Sequence, residues 1–157
     1  MAIKFSGIPA SVAERARNGG PDAYGNAPES FICESDDLEC RHCGENIGIG
    51  ETVLLLSYSP FSRSQPFAET GPVLLHGKSC DTYNEHATAQ PAITSIATRL
   101  VRGYDKDERI VYGTGTHVAA DDLEKTCAEM LADTRIQFLH IRSSTNNCWQ
   151  GRVDRTR

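Results

Sequence analysis

Six cysteines and five histidines carry most of the ligand chemistry in this sequence, and four of these residues are spaced to share one metal ion. Cys40 and Cys43 form a Cys-x-x-Cys pair followed by Gly44. Two thiolates at this spacing reach one ion from a tight turn, and a glycine beside them lets backbone N–H groups approach the sulfurs. A tetrahedral site needs two more ligands. His76 and Cys80 are the candidates, an i, i+4 pair at the end of a strand and the start of the next segment, in a layout similar to a treble clef. Cys148 is an alternative ligand. The expected cofactor is one structural zinc. Three other readings compete with it: separately packed thiols, a redox pair, and a nucleophilic thiol activated by Arg41.

A second constellation lies on an expected strand from Arg135 to Ser143. Side chains alternate along a strand, so Ile136, Phe138, His140 and Arg142 fall on one face and Leu139 and Ile141 on the other. That face begins apolar and turns polar at its His140–Arg142 end. Arg102 and Tyr104 show the same change on an earlier strand. Two guanidiniums, an imidazole and a phenol that converge would bind a carboxylate or phosphate, with arginine giving two-pronged contacts. The competing reading is exposed salt bridges and a core histidine. On the ligand reading, His140 gains a proton below about pH 6.5 and strengthens anion binding. Glu69, on a proline-flanked loop, is a candidate base or an arginine partner. His42, Glu69 and His140 are the acid–base candidates, and no nucleophile–base pair can be read from spacing. Gly113-Thr114-Gly115 lacks the Lys-Ser/Thr partner of a phosphate loop and reads as a bulge.

Positioning these residues falls to a series of short elements. Ile3 to Ile8 reads as a strand, and Pro9 opens a helix that runs to Arg17 and stops at Gly19-Gly20. Pro21 to Glu39 is a loop with one extended piece near Phe31-Ile32. Strands are expected at Thr52–Tyr58 and Pro72–His76, with a loop between them punctuated by Pro60 and Pro66. Ser79 to Ala87 is an expected short helix. Further strands are expected at Arg99–Tyr104 and Arg109–Val118. Asp121 and Glu124 are spaced as a capping box for a helix whose Leu123, Cys127, Met130 and Leu131 share one face. The last strands are Arg135–Ser143 and Cys148–Arg155. The expected fold is α+β: one domain over residues 1–157, mainly an antiparallel sheet with helices on one side. A C-terminal β-β-α-β-β half comes after a looser, cysteine-bearing N-terminal half.

Composition limits the partners. The hydrophobic share is 39% and the charged share 24%, ordinary for a folded protein. A formal charge of −5 argues against nucleic acid as the main partner, because phosphate-tracking proteins carry a basic footprint. The sign is uneven along the chain. Residues 29–51 carry seven acids against one arginine, and residues 142–157 carry four arginines against one acid. No window approaches the ~20 apolar residues of a membrane span. The start lacks a basic segment followed by an apolar run, so no export signal is expected. Cysteines without one point to reduced thiols in the cytoplasm rather than a disulfide framework. Nothing in the pattern bears on a homodimer.

Cys-Arg-His-Cys at 40–43, Gly50-Glu51, Pro60-Phe61 and Phe67-Ala68-Glu69-Thr70-Gly71-Pro72, then His76 and Cys80, form one set of spaced residues. Arg102-Gly103-Tyr104-Asp105, Arg109 to Gly113, His140-Ile141-Arg142 and Cys148 continue it. On these the chain resembles the bacterial domain-of-unknown-function family numbered 1203, over nearly its whole length. Cys33 and Cys127 fall outside that pattern. The resemblance implies positions to examine and no assigned activity. Three function classes therefore stand: a binding module for a small anionic metabolite, a hydrolase- or transferase-like enzyme using the same face, and a zinc-stabilised interaction protein.

Overall fold

The computed structural model describes residues 1–81, 93 and 96–157. Among these, eight strands form two antiparallel sheets, so the fold is α+β and mainly sheet. Strand β1 is Ile3–Ser6, β5 Thr98–Tyr104, β6 Thr116–Ala119, β7 Phe138–Ser143 and β8 Trp149–Arg155. They make a five-stranded sheet in the order β1-β8-β7-β5-β6. Strand β2 is Glu29–Ile32, β3 Thr52–Tyr58 and β4 Gly71–His76, forming a three-stranded sheet in chain order. Helix α1 is Ala10–Arg17 and helix α2 is Leu123–Leu131.

Two apolar clusters arise from the two sheets. On one face of the larger sheet, Phe5, Val101, Leu139, Ile141 and Val153 pack against Leu123, Cys127 and Leu131 of α2, all fully buried. This is the helical stripe that the i, i+4, i+8 spacing predicts. The second cluster joins Ala13 and Ala16 of α1 to Val53, Leu56, Val73 and Leu75 of the smaller sheet, with Trp149 of β8 among them. Burial of apolar side chains from both sheets thus holds the smaller sheet beside β8.

Four expectations change. The strand expected over Arg109–Val118 is confined to β6. Upstream of it, Asp105 accepts hydrogen bonds from the N–H groups of Asp107 and Arg109, which closes a turn. Gly113 then takes φ of 90°, a left-handed conformation, while the Thr114 hydroxyl accepts the Gly103 N–H at 2.9 Å. A side chain thus occupies a donor that a continuous ladder would use. The capping box is absent: Ala120–Asp122 form a single 3-10 turn leading into α2, and no side-chain cap bond is made. Ile136 does not share the His140 face. Its N–H bonds to the Asp133 carbonyl in a turn, so strand alternation begins later, and it packs on the α2 side over Gly103. Ser79–Asp81 are not helical, and the rest of the helix expected to Ala87 lies outside the described residues.

Candidate metal centre and arginine face

The Cys-x-x-Cys pair sits in a small hairpin tip. Glu39 and Asn46 bridge across it, and Gly44 donates its N–H to the Cys40 carbonyl at 2.9 Å with φ of 74°. The Arg41 N–H donates to the Leu74 carbonyl at 2.9 Å, which lays the tip along the end of β4. Pairing of β3 with β4 carries His76 back to that point, closing the long sequence gap between Cys43 and His76. The ligand atoms of Cys40, Cys43, His76 and Cys80 all lie within 4.8 Å of one another. Cys40 Sγ and Cys80 Sγ are 3.8 Å apart, and Cys43 Sγ is 3.4 Å from His76 Nδ1. A tetrahedral ion with Zn–S bonds of about 2.3 Å needs sulfurs about 3.8 Å apart.

The surroundings suit such an ion. The His76 N–H points at Cys40 Sγ at 3.4 Å, and Arg17 Nη2 donates to Cys80 Sγ at 3.0 Å. His76 turns Nδ1 towards Cys43 Sγ and Nε2 towards Glu51 Oε2, which stands 3.8 Å away on the side of the ring facing away from the sulfurs. A hydrogen bond from Cys43 lowers the Cys40 thiol to about 4 and raises Cys43, so the first proton leaves the pair readily and the second is held. Burial raises Cys80. All six cysteines are free. Cys148, the alternative ligand, is outside the cluster. It stands in the β7–β8 turn near the Asn146 carbonyl.

The arginine face is on the larger sheet, opposite α2. Strands β5 and β7 pair with Arg102 across from His140 and Tyr104 across from Phe138. Arg102, Tyr104, His140 and Arg142 therefore share one face. Loop 59–70 lies over it. Phe61 meets the rings of Tyr104 and His140 edge-on at 5.5 and 5.1 Å. Glu69 bridges the two arginines, with Oε1 3.0 Å from Arg102 Nη2 and Oε2 3.0 Å from Arg142 Nη1. The loop is fastened at its far side, where the Ser62 N–H donates to the Glu108 carboxylate and Gln65 Nε2 to the Glu108 carbonyl.

His140 is fully buried among Phe61, Tyr104, Phe138 and Trp149. Burial, and then the charges of Arg142, Arg152 and Arg102, push its pKa well below 6.5. The expectation that it gains a proton near pH 6.5 is therefore overturned, and it stays neutral. Burial likewise raises the Tyr104 phenol, with Arg142 and Arg102 opposing. Several buried polar atoms here have no well-formed hydrogen bond among the described groups: Arg102 Nε, Arg142 Nε and Nη2, Trp149 Nε1, both His140 ring nitrogens, and Tyr104 Oη, which lies against the Arg142 guanidinium. Such atoms are costly to leave unsatisfied.

Arg142 and Glu69 line a cavity of about 200 Å³ whose other walls include Tyr58, Pro60, Val73 and Trp149. A larger cleft of about 460 Å³ runs along α1 on the other side of Tyr58 and Trp149. Of the arginines that line it, Arg152 is committed to Asp154 at 2.7 Å and Arg15 is exposed, whereas Arg142, which has unsatisfied buried donors, lines the smaller cavity. His42 is remote in role: it is buried, with Nδ1 2.7 Å from the Ile8 carbonyl oxygen. Sequence reading missed Trp149, which the β7–β8 register sets opposite Arg142, and a buried link in which Glu39 lies between Arg41 and Arg99, 3.1 and 3.7 Å away. Counting outward from the polar turn at 144–147 would have paired Trp149 with Arg142. Nothing local marks Glu39.

A family model described as "Protein of unknown function (DUF1203)" matches residues 38–155, a span that holds the metal cluster and the arginine face. No curated protein and no solved structure matches the chain.

Proposed function

This chain belongs to the DUF1203 family, and on that premise we propose that it is a binding module for a small anion, taken up at the arginine face. The observation that carries this reading is the set of buried donors without partners on Arg102, Tyr104 and Arg142, beneath a loop and on a face from which Arg142 lines a cavity. A core built only for packing would place apolar side chains there. Unpartnered arginine donors beside a small cavity favour a carboxylate or phosphate. The acid–base reading has less support on the same geometry. Glu69 is held by two guanidiniums, and His140 is neutral and walled in by rings.

The four-ligand cluster, in this proposal, holds a structural zinc. Three thiolates, one imidazole and a divalent ion sum to one negative charge, and the Arg17 guanidinium on Cys80 balances it. All four ligands are protein side chains, the pattern of a closed structural site rather than a catalytic one. Free cysteines support a reducing compartment such as the cytoplasm. Among the described residues no helix is long and apolar enough to cross a membrane.

Anion binding is tested by melting the protein with millimolar acetate, phosphate or sulfate at constant ionic strength. At least one should raise Tm, since a ligand that binds only the folded state stabilises it by mass action. The rise should vanish in Arg142→Ala. Unchanged melting with every anion would end the proposal.

A further inference from the structure

The ligand's chemistry can be narrowed from the guanidinium of Arg142, on the premise that the face binds an anion. One edge of this group is occupied. Nη1 donates to the Asn147 carbonyl at 3.1 Å and lies 3.0 Å from Glu69 Oε2. The other edge, Nε and Nη2, is buried and has no partner among the described groups. These two N–H groups run parallel at the spacing of the two oxygens of one carboxylate. The chain uses the same edge elsewhere for that purpose. Arg152 sets Nε and Nη2 on the Asp154 carboxylate at 2.8 and 2.7 Å, and Arg135 grips Asp133 in the same way. Among the described residues, Arg142 is the one with an unpartnered edge of this kind that also lines the smaller cavity, and Arg102 Nε and Tyr104 Oη lie on the same sheet face.

Charge sets the capacity of the site. Arg102 and Arg142 bring two positive charges and Glu69 removes one, while Arg152 is neutralised by Asp154. His140 is neutral. One positive charge remains, which a monoanion cancels and a dianion overshoots. Size and polarity agree. About 200 Å³ holds a body on the order of six non-hydrogen atoms. Tyr58, Pro60, Val73 and Trp149 offer that body an apolar wall.

We infer that the ligand is a small monocarboxylate with an apolar body, gripped side-on by Nε and Nη2 of Arg142. Glu69 stays on the other edge of the guanidinium as the counter-ion that limits the site to one negative charge. The edge is closed to solvent in this structure, so the carboxylate reaches it only when loop 59–70 opens.

The test is calorimetric titration of the full chain, as purified, with acetate, isobutyrate and benzoate, and separately with inorganic phosphate and sulfate. At least one monocarboxylate should bind roughly tenfold more tightly than either inorganic anion. Arg142→Lys keeps the charge and loses the fork, and should weaken that carboxylate by roughly tenfold or more. Glu69→Gln raises the site's charge by one, and should shift preference towards phosphate and sulfate by a similar factor. If Arg142→Lys does not fold, the Glu69→Gln preference still decides. Phosphate or sulfate binding most tightly to the unaltered protein would overturn the carboxylate assignment and leave anion binding standing. No binding by any of the five, in protein with normal melting, would mean that water meets these donors, and both readings would fall.

Discussion

His140 shows how position overrides type. An exposed imidazole titrates near pH 6.5 and serves as a switch at neutral pH. Here four aromatic rings exclude water and three guanidiniums oppose a further positive charge. Its folded pKa therefore lies below its unfolded value. As pH falls through about 6.5 the unfolded chain takes up this proton first, so stability present above that pH is lost as the pH drops further. The loss is at most about 1.4 kcal/mol per pH unit for one group. Melting curves at pH 7.5 and 5.5, chosen to bracket the reference value of about 6.5, should show a larger fall in Tm for the native protein than for His140→Gln. Equal falls in the two proteins would mean that His140 titrates normally. Glu69 makes a related point at the same scale. A lone carboxylate on a loop reads as a candidate base, but one with an arginine on each oxygen is first of all a counter-ion.

At the scale of elements, α2 and the β5–β7–β8 ladder divide the labour. Helix α2 covers one face of the sheet, which leaves the other for polar residues. The helix is short and lacks a side-chain cap, so its stability comes from the stripe it buries. Leu123→Ala should cost roughly 2–5 kcal/mol in chemical denaturation, because Leu123 is fully buried and the cavity left behind cannot be refilled. Lys125→Ala and Glu129→Ala should shift stability by less than about 0.5 kcal/mol, since both side chains are exposed and their 4.0 Å pair is on the surface. A small effect at Leu123, or a large one at Lys125, would contradict this packing.

The two sheets are joined at the scale of the whole molecule by groups from distant parts of the sequence. Arg41 Nε donates to the Trp149 carbonyl at 3.0 Å, and the Glu39 link to Arg99 runs from the hairpin tip to the larger sheet. The hairpin tip is also where Cys40 and Cys43 sit, so the proposed zinc would fix the point at which the sheets meet. Purified protein should contain about one zinc per chain. Removing it by chelation, or Cys43→Ser, should unfold or strongly destabilise the chain, because structural zinc contributes on the order of 10 kcal/mol in small modules. Metal-free protein that melts unchanged in the presence of a chelator would dispose of the zinc assignment. A reductant alone should leave Tm unaltered, since the six cysteines are free and no disulfide holds the fold.

Local pattern was enough for much of this protein. Thr52–Tyr58 forms the strand its β-branched and apolar run predicts, Pro9 precedes α1, and the spacing of Leu123, Cys127 and Leu131 predicts the buried stripe of α2. Alternation alone put Arg142 with His140, and the i, i+4 spacing made His76 and Cys80 a candidate ligand pair. These features depend on neighbours within a few residues, where backbone geometry fixes what can face what. Tertiary structure decided the rest. Strand pairing set Arg102 across from His140, and the β3–β4 hairpin brought His76 to Cys43 while leaving Cys148 elsewhere. Loop 59–70 placed Glu69 between two arginines. Ile136 and the stretch before β6 left their expected strands because turns at Asp133 and Asp105 took the backbone hydrogen bonds. A residue's type and spacing state which bonds it can make. Which bonds it does make depends on the partners that distant segments bring, and on whether water still reaches it.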